Sequence, residues 1–239
     1  MTAAASPKKI LSLLLLLTVV LSGCNFSWPW TKKTSMARGT PDGLYQQGVE
    51  YYKDGSYKRA VEVFQRLKEE YPLSRLAILA EMGIADSYFS DKEYGEAELA
   101  YREFVELHPT NEYLPYVMYQ IGMCHFNQIS SIDRDQSETF KALKEFERLT
   151  ARFPSSKFSF MAEKMIRDCK RILGEHEFYV GEYYFKRKQY LAALRRFEKI
   201  ARDYADVGLD YKVGVYMIET KKRIAQDGPR NSVKDKRAN

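Results

Sequence analysis

The chain writes one segment four times. GVEYYKDGSYKRAVEVFQRLKEEYP (Gly48–Pro72) aligns without a gap on ADSYFSDKEYGEAELAYREFVELHP (Ala85–Pro109), at a spacing of 37 residues. Tyr51 falls on Tyr88, Tyr57 on Tyr94, Ala60 on Ala97, Phe64 on Tyr101 and Pro72 on Pro109. A third copy, FKALKEFERLTARFP, sets Ala142, Phe146, Leu149 and Pro154 at the same offsets. A fourth, GEYYFKRKQYLAALRRFEKIARDYA, supplies Gly181, Tyr184, Tyr190, Ala193, Phe197 and Ile200, with Ala205 where the others have proline. Within each copy the apolar residues fall at helical spacing on both sides of a short polar turn such as KDGS or SDKE. The closing proline ends the second helix, because it lacks an N–H and restricts the residue before it. Small residues recur where two helices must cross closely: Gly48, Ala85 and Gly181 on the first helix, Ala60, Ala97, Ala142 and Ala193 on the second.

A helical hairpin of this size buries its apolar face only by stacking on its neighbours, which is the tetratricopeptide (TPR) pattern. The alternative is a generic helical bundle. The expected fold is all-α, a TPR superhelical solenoid of about ten helices over residues 41–226. Helix pairs are predicted over Asp42–Tyr71, Ser74–His108, Leu114–Phe153 and Glu175–Tyr204. The third copy carries an insertion, QISSIDRDQSE. A separate extra helix is expected near Phe158–Leu173. A final helix near Asp210–Gln226 is expected to cap the stack with a polar outer face, as IETKKRIAQ suggests. Residues 227–239 read as a disordered tail.

The N-terminus is different in kind. Lys8 and Lys9 precede an apolar run of 14 residues, Ile10–Gly23, short of the ~20 that a spanning helix needs. A basic start, a short apolar middle and small residues at the end make residues 1–23 a signal peptide rather than an anchor helix. Its end, LSGC, resembles the bacterial lipobox, in which the cysteine thiol is lipidated and cleavage falls just before it. Cys24 would then open the mature chain, and several acyl chains make a lasting anchor where one is marginal. The next residue is Asn25. In lipoproteins an aspartate at that place tends to retain the protein in the inner membrane, so Asn25 points to the outer one. Residues 24–40 read as a tether. Its Trp28 and Trp30 suit either the headgroup zone or ordinary packing.

Charge argues against nucleic acid. The 38 basic residues are nearly balanced by 32 acidic ones, and the two are interleaved along the helices. Cys124 and Cys169 lie in apolar helical patterns and are expected as buried thiols, with a disulfide as the alternative. The histidines, at 108, 125 and 176, give no metal-ligand spacing, and neither metal nor cofactor is expected. No nucleophile–base order, paired-carboxylate site or glycine-rich phosphate loop stands out, so no enzymatic activity is expected. His125 reads as a satisfied core residue, and Asp133-Arg134-Asp135 as a loop ion-pair or contact feature.

What remains is a binding surface. In TPR stacks the first helix of each repeat lines the concave face. The aligned register puts Tyr45 and Tyr52, Met82 and Phe89, Tyr119 and Phe126, and Phe178 and Phe185 there, each pair seven residues apart and so two turns along one face. They are candidates for a peptide groove, or else for the core.

A lipobox joined to this array resembles the BamD (ComL/YfiO-type) family, the TPR lipoproteins of the β-barrel assembly machinery. The resemblance runs from about Leu44 to Tyr204. It is carried most specifically by HPTNEYLPYVMYQIG (His108–Gly122), IDRDQSETFKALKEFERL and EYYFKRKQYLAALRRFEKIARDY. The third-repeat insertion looks shorter than in enterobacterial members, and one closing helix stands where longer members have two or more. The resemblance implies a lipid-anchored scaffold on the periplasmic face of the outer membrane. It implies three kinds of partner: BamA through the POTRA domain nearest its barrel, other lipoproteins of the complex, and unfolded outer-membrane proteins. It assigns substrates to the N-terminal half and BamA to the C-terminal half. RRFEKIARDY matches the POTRA-facing segment, so Arg195, Arg196 and Arg202 are candidate contacts to acidic groups, with a solvated basic face as the alternative. A periplasmic TPR lipoprotein of cell-wall synthesis or division is the competing reading.

Replacing the lipidation residue tests the anchor. Cys24→Ala is expected to abolish palmitate labelling and cleavage by the lipoprotein signal peptidase. Acyl chains still attached at that position would contradict the lipobox.

Overall fold

The computed structural model describes residues 39–227. Cys24, nearly all of the tether, and residues 228–239 of the tail lie outside the described residues. Nine helices and no strands occur among them: α1 (Pro41–Lys53), α2 (Tyr57–Glu70), α3 (Arg75–Ser90), α4 (Tyr94–Leu107), α5 (Leu114–Phe126), α6 (Ser137–Arg152), α7 (Lys157–Lys186), α8 (Tyr190–Asp203) and α9 (Asp210–Asp227). None of them is long and apolar enough to cross a membrane.

Local chemistry sets the ends. Thr40, Ser74 and Ser156 cap α1, α3 and α7, each side-chain oxygen accepting from a backbone amide of the first turn. Pro41 occupies the first turn of α1, where its missing N–H costs nothing. Helices α2, α4 and α6 stop just before the Tyr71-Pro72, His108-Pro109 and Phe153-Pro154 pairs. Inside the repeats the two helices are joined by a turn with one left-handed residue. That residue is Gly55 in the first copy, Lys92 in the second and Lys188 in the fourth. The fourth repeat ends α8 in the same register without proline, through Asp206 and Gly208 at positive φ.

Each helix packs on the next in sequence, and first helices of successive repeats also touch, α1 on α3 and α5 on α7. This is the nearest-neighbour arrangement of a solenoid. The recurring contact is an aromatic ring of the second helix wedged against small residues. A Cβ added to Gly48 would lie 2.5 Å from the Phe64 ring, and one on Gly83 2.7 Å from its other edge. Phe64 therefore sits between glycines of α1 and α3. Phe146 meets Gly122, and Phe197 meets Gly181, at 2.5 and 2.6 Å in the same construction. Tyr101 fills this position in the second repeat, where the first helix carries the buried Ala85.

Two expectations change. The extra helix and the first helix of the fourth repeat are one helix, α7, of 30 residues. No proline or turn pair interrupts it, and Gly174, which looks like punctuation, instead admits Leu209, Tyr204 and Ile200 against the helix. This fusion gives nine described helices where about ten were expected. The capping helix is polar only in its second half. Its first half exposes Tyr211 at 88%, Val215 at 47% and Ile218 at 73% while burying Val213. Cys124 and Cys169 are both buried free thiols, each pushed up to about 12 by burial.

The wedge predicts two substitutions. Phe146→Ala is expected to cost about 3–5 kcal/mol through the cavity it leaves. Gly122→Val is expected to cost ~1–3 kcal/mol through overpacking. Thermal unfolding followed by circular dichroism checks both, and wild-type midpoints for either would contradict the wedge.

Candidate peptide groove and partner face

Tyr45, Tyr52, Phe89, Tyr119 and Phe126 are half-buried on α1, α3 and α5. Each is braced by neighbouring side chains. The Tyr45 ring lies 5.9 Å from Phe64, Tyr52 meets Tyr57 edge-on at 5.6 Å, and Phe89 meets Tyr94 at 5.4 Å. Tyr119 packs on Phe146 at 5.6 Å and on Phe158 at 6.0 Å. Phe126 packs against the third-repeat core. The Tyr52 hydroxyl and Ser90 Oγ share a hydrogen bond of 2.9 Å that ties α1 to α3. Met82 is buried in the core of the second repeat and does not line a surface. Phe178 is likewise core, its ring 5.5 Å from Phe197.

A polar group lies among these aromatics. Asp86 sits on α3, one turn after Met82 and three residues before Phe89, and so on the same face. Its Oδ1 accepts from the Tyr101 hydroxyl at 2.5 Å and from the Tyr116 hydroxyl at 2.6 Å. Gln120 Nε2 donates to both phenol oxygens, at 3.5 and 3.3 Å. Burial raises the Asp86 carboxyl, and the two phenol hydrogen bonds offset this only in part. The same burial, with Asp86 nearby, raises both the Tyr101 and Tyr116 hydroxyls. Neither Asp86 nor Tyr116 is among the site residues expected from the sequence. The available signal was an aspartate inside the apolar run of α3, on the face already assigned to Met82 and Phe89.

The three candidate arginines of α8 are in different states. Arg195 is exposed and makes no ion pair among the described residues. Arg202 is exposed and bonded to its neighbour Asp203 at 2.8 Å. Arg196 donates to Glu177 Oε2 at 2.9 Å, and Lys199 donates to Oε1 of the same carboxylate at 2.5 Å. Glu177 is only 7% exposed. Burial alone would raise its carboxyl, but the hydrogen bonds from Lys199 and Arg196 hold it below the usual range. Arg196 is thus first a counter-ion of α7.

Beside this triad lies a cleft of about 420 Å³ lined by residues that include Asp135, Phe140, His176, Glu177 and Tyr204. The insertion that forms one wall is held by hydrogen bonds. His176 Nδ1 meets the Ile132 carbonyl at 2.6 Å, and buried Gln136 donates to the carbonyls of Ser131 and Arg134. Asp133, Arg134 and Asp135 make no ion pairs among the described residues, so the salt-bridge reading of that cluster does not hold. His125 is buried between Glu138, 2.7 Å from Nδ1, and Glu98, 3.3 Å from Nε2.

The family model described as YfiO, outer membrane lipoprotein, matches residues 37–236. The outer membrane protein assembly factor BamD of Rickettsia prowazekii (strain Madrid E) is 32% identical over 197 residues, covering 82% of this chain and 76% of that protein. The protein of the same name from Neisseria meningitidis serogroup A is 31% identical over 208 residues, covering 82% of this chain and 78% of its relative. Among solved structures, a Podosopora anserina putative kinesin light chain with nearly identical TPR-like repeats is 11% identical. That match covers 80% of this chain and 99% of the other, with a TM-score of 0.45.

The Glu177 triad sets a pH dependence. A carboxyl held low in the fold stabilises it above the unfolded value, and that contribution is lost as pH falls through the folded value. Glu177→Gln is expected to cost roughly 1–3 kcal/mol at neutral pH. Its deficit against wild type should shrink as pH falls below about 4.5. Denaturant midpoints at neutral and acid pH check this, and a constant deficit would contradict it.

Proposed function

The chain belongs to the YfiO family of outer membrane lipoproteins, and on that premise we propose that it is an outer membrane protein assembly factor. In this reading it is a non-enzymatic scaffold of the β-barrel assembly complex, lipid-anchored through Cys24 and facing the periplasm. The observation that carries the reading is a family match that spans the whole described solenoid.

The geometry supports a division of labour. Coupling in a solenoid is nearest-neighbour, so its two ends serve different partners with little interference. The N-terminal groove offers braced aromatic walls to unfolded outer-membrane proteins, whose strands alternate side chains and carry aromatic girdles. The C-terminal face takes the POTRA region of BamA, with other lipoproteins of the complex as further partners. There Arg195 is the unengaged contact. Arg196 keeps donors beyond the one bonded to Glu177. Arg202 adds positive charge at the rim.

An affinity pull-down from detergent-solubilised envelopes tests the assignment. BamA is expected to co-purify, and recovery of cell-wall synthases in its place would overturn it. Arg195→Glu is expected to weaken binding of BamA's periplasmic region at least tenfold, ~1.4 kcal/mol, and to leave peptide binding unchanged. Tyr52→Ala with Phe89→Ala is expected to do the reverse at unchanged helical signal. Equal loss of both partners in both variants would contradict the division.

A further inference from the structure

Resting on the groove reading above, we propose that Asp86 is the receptor for a basic side chain, lysine or arginine, on the unfolded segment that lies in the groove. The two oxygens of this carboxylate are treated differently. Oδ1 is fixed by the hydroxyls of Tyr101 and Tyr116, themselves held by Gln120. Oδ2 accepts no hydrogen bond from the described residues. No fully buried side-chain polar atom among them lacks a partner, so Oδ2 is not sealed from solvent.

Asp86 also has no basic neighbour. Glu81 pairs with His108, Glu98 with Arg102 and His125, Glu138 with Lys141 and His125, Glu145 with Arg102, and Glu177 with Arg196 and Lys199. No such ion pair forms at Asp86 among the described residues. A half-buried carboxylate without a counter-ion is costly, and burial accordingly raises its carboxyl. An incoming cation removes that cost and uses the lone pairs left on Oδ2.

The surroundings suit a long basic side chain rather than a metal ion. One carboxylate flanked by phenols is a poor oxygen set for a hard cation. Tyr45 on α1 lies within electrostatic reach of both Asp86 and Tyr113. Phenol rings receive the aliphatic stem of lysine or arginine and attract its charge. In an extended segment the neighbours two residues away point to the same side as that cation, towards the ring walls of Tyr52, Phe89 and Tyr119.

The test is a fluorescence-anisotropy titration of the full mature chain in detergent with three synthetic peptides. They share an alternating aromatic and polar sequence and carry lysine, norleucine or glutamate at the centre. The lysine peptide is expected to bind at least tenfold tighter than the norleucine one, and the glutamate peptide most weakly. Asp86→Asn keeps an acceptor for both phenols. It is expected to bind all three alike while melting at or above the wild-type temperature, since a charge that is costly to bury is gone. Equal binding of the three peptides by the wild type would overturn this inference and leave the groove standing. A lysine preference that survives in Asp86→Asn would place the receptor elsewhere and overturn it too. Binding of no peptide would overturn the groove itself and the inference with it.

Discussion

The fold depends on an aromatic ring of each second helix pressed against a residue with almost no side chain. Phe64 between Gly48 and Gly83 shows it most fully. A ring can approach a helix backbone this closely only where no Cβ intervenes, so the wedge sets helix spacing and repeat register together. In the first repeat it also shows why the unit is incomplete alone. The ring of the first repeat is covered partly by a glycine of the second, and burial is finished by the neighbour. The first helices that carry the small residues are thereby held side by side, α1 on α3 and α5 on α7.

The second repeat departs from this rule by one oxygen atom. Its wedge is Tyr101, fully buried, where the other copies have phenylalanine. A buried hydroxyl must be satisfied, and the partner supplied is Asp86, which then draws in Tyr116. A structural position thereby acquires polar chemistry on the helix face that carries Phe89. The C-terminal end solves the opposite problem. Glu177 is sealed among α7 and α8 and neutralised by Arg196 and Lys199, so part of the basic face holds the stack together, while Arg195 makes no ion pair among the described residues. The carboxylate of Asp86 likewise makes no ion pair among the described residues, and the proposed partners differ accordingly.

Much of this was legible in the sequence because repetition exposes register. The four aligned copies located the helix pairs, the turns and the wedge residues, since each copy checks the others. The errors fall where the chain stops repeating or where one copy carries a residue the others lack. Gly174 has the look of a break because glycine punctuates helices, yet its missing side chain serves packing against Leu209. Met82 occupies a groove-facing offset but is drawn into the core of its repeat. The role of Arg196 depends on Glu177, 19 residues away, a pairing that no local pattern encodes. Asp86 was hidden because an isolated aspartate in a helix usually signals solvent, and its meaning comes only with the two phenols from α4 and α5. The exposed stripe of Tyr211, Val215 and Ile218 escaped because the second half of α9, rich in lysine and arginine, dominated the reading of that helix.

In the proposed function, one helical stack presents two surfaces to two partners. Site-specific photo-crosslinking in intact cells tests it most directly. A photoreactive phenylalanine analogue is placed at Tyr45 in one strain and at Arg195 in another, on the full-length chain. The account predicts that the probe at Tyr45 captures newly exported outer-membrane proteins and the probe at Arg195 captures BamA. Capture of the same partner from both positions, or of each from the opposite end, would contradict it.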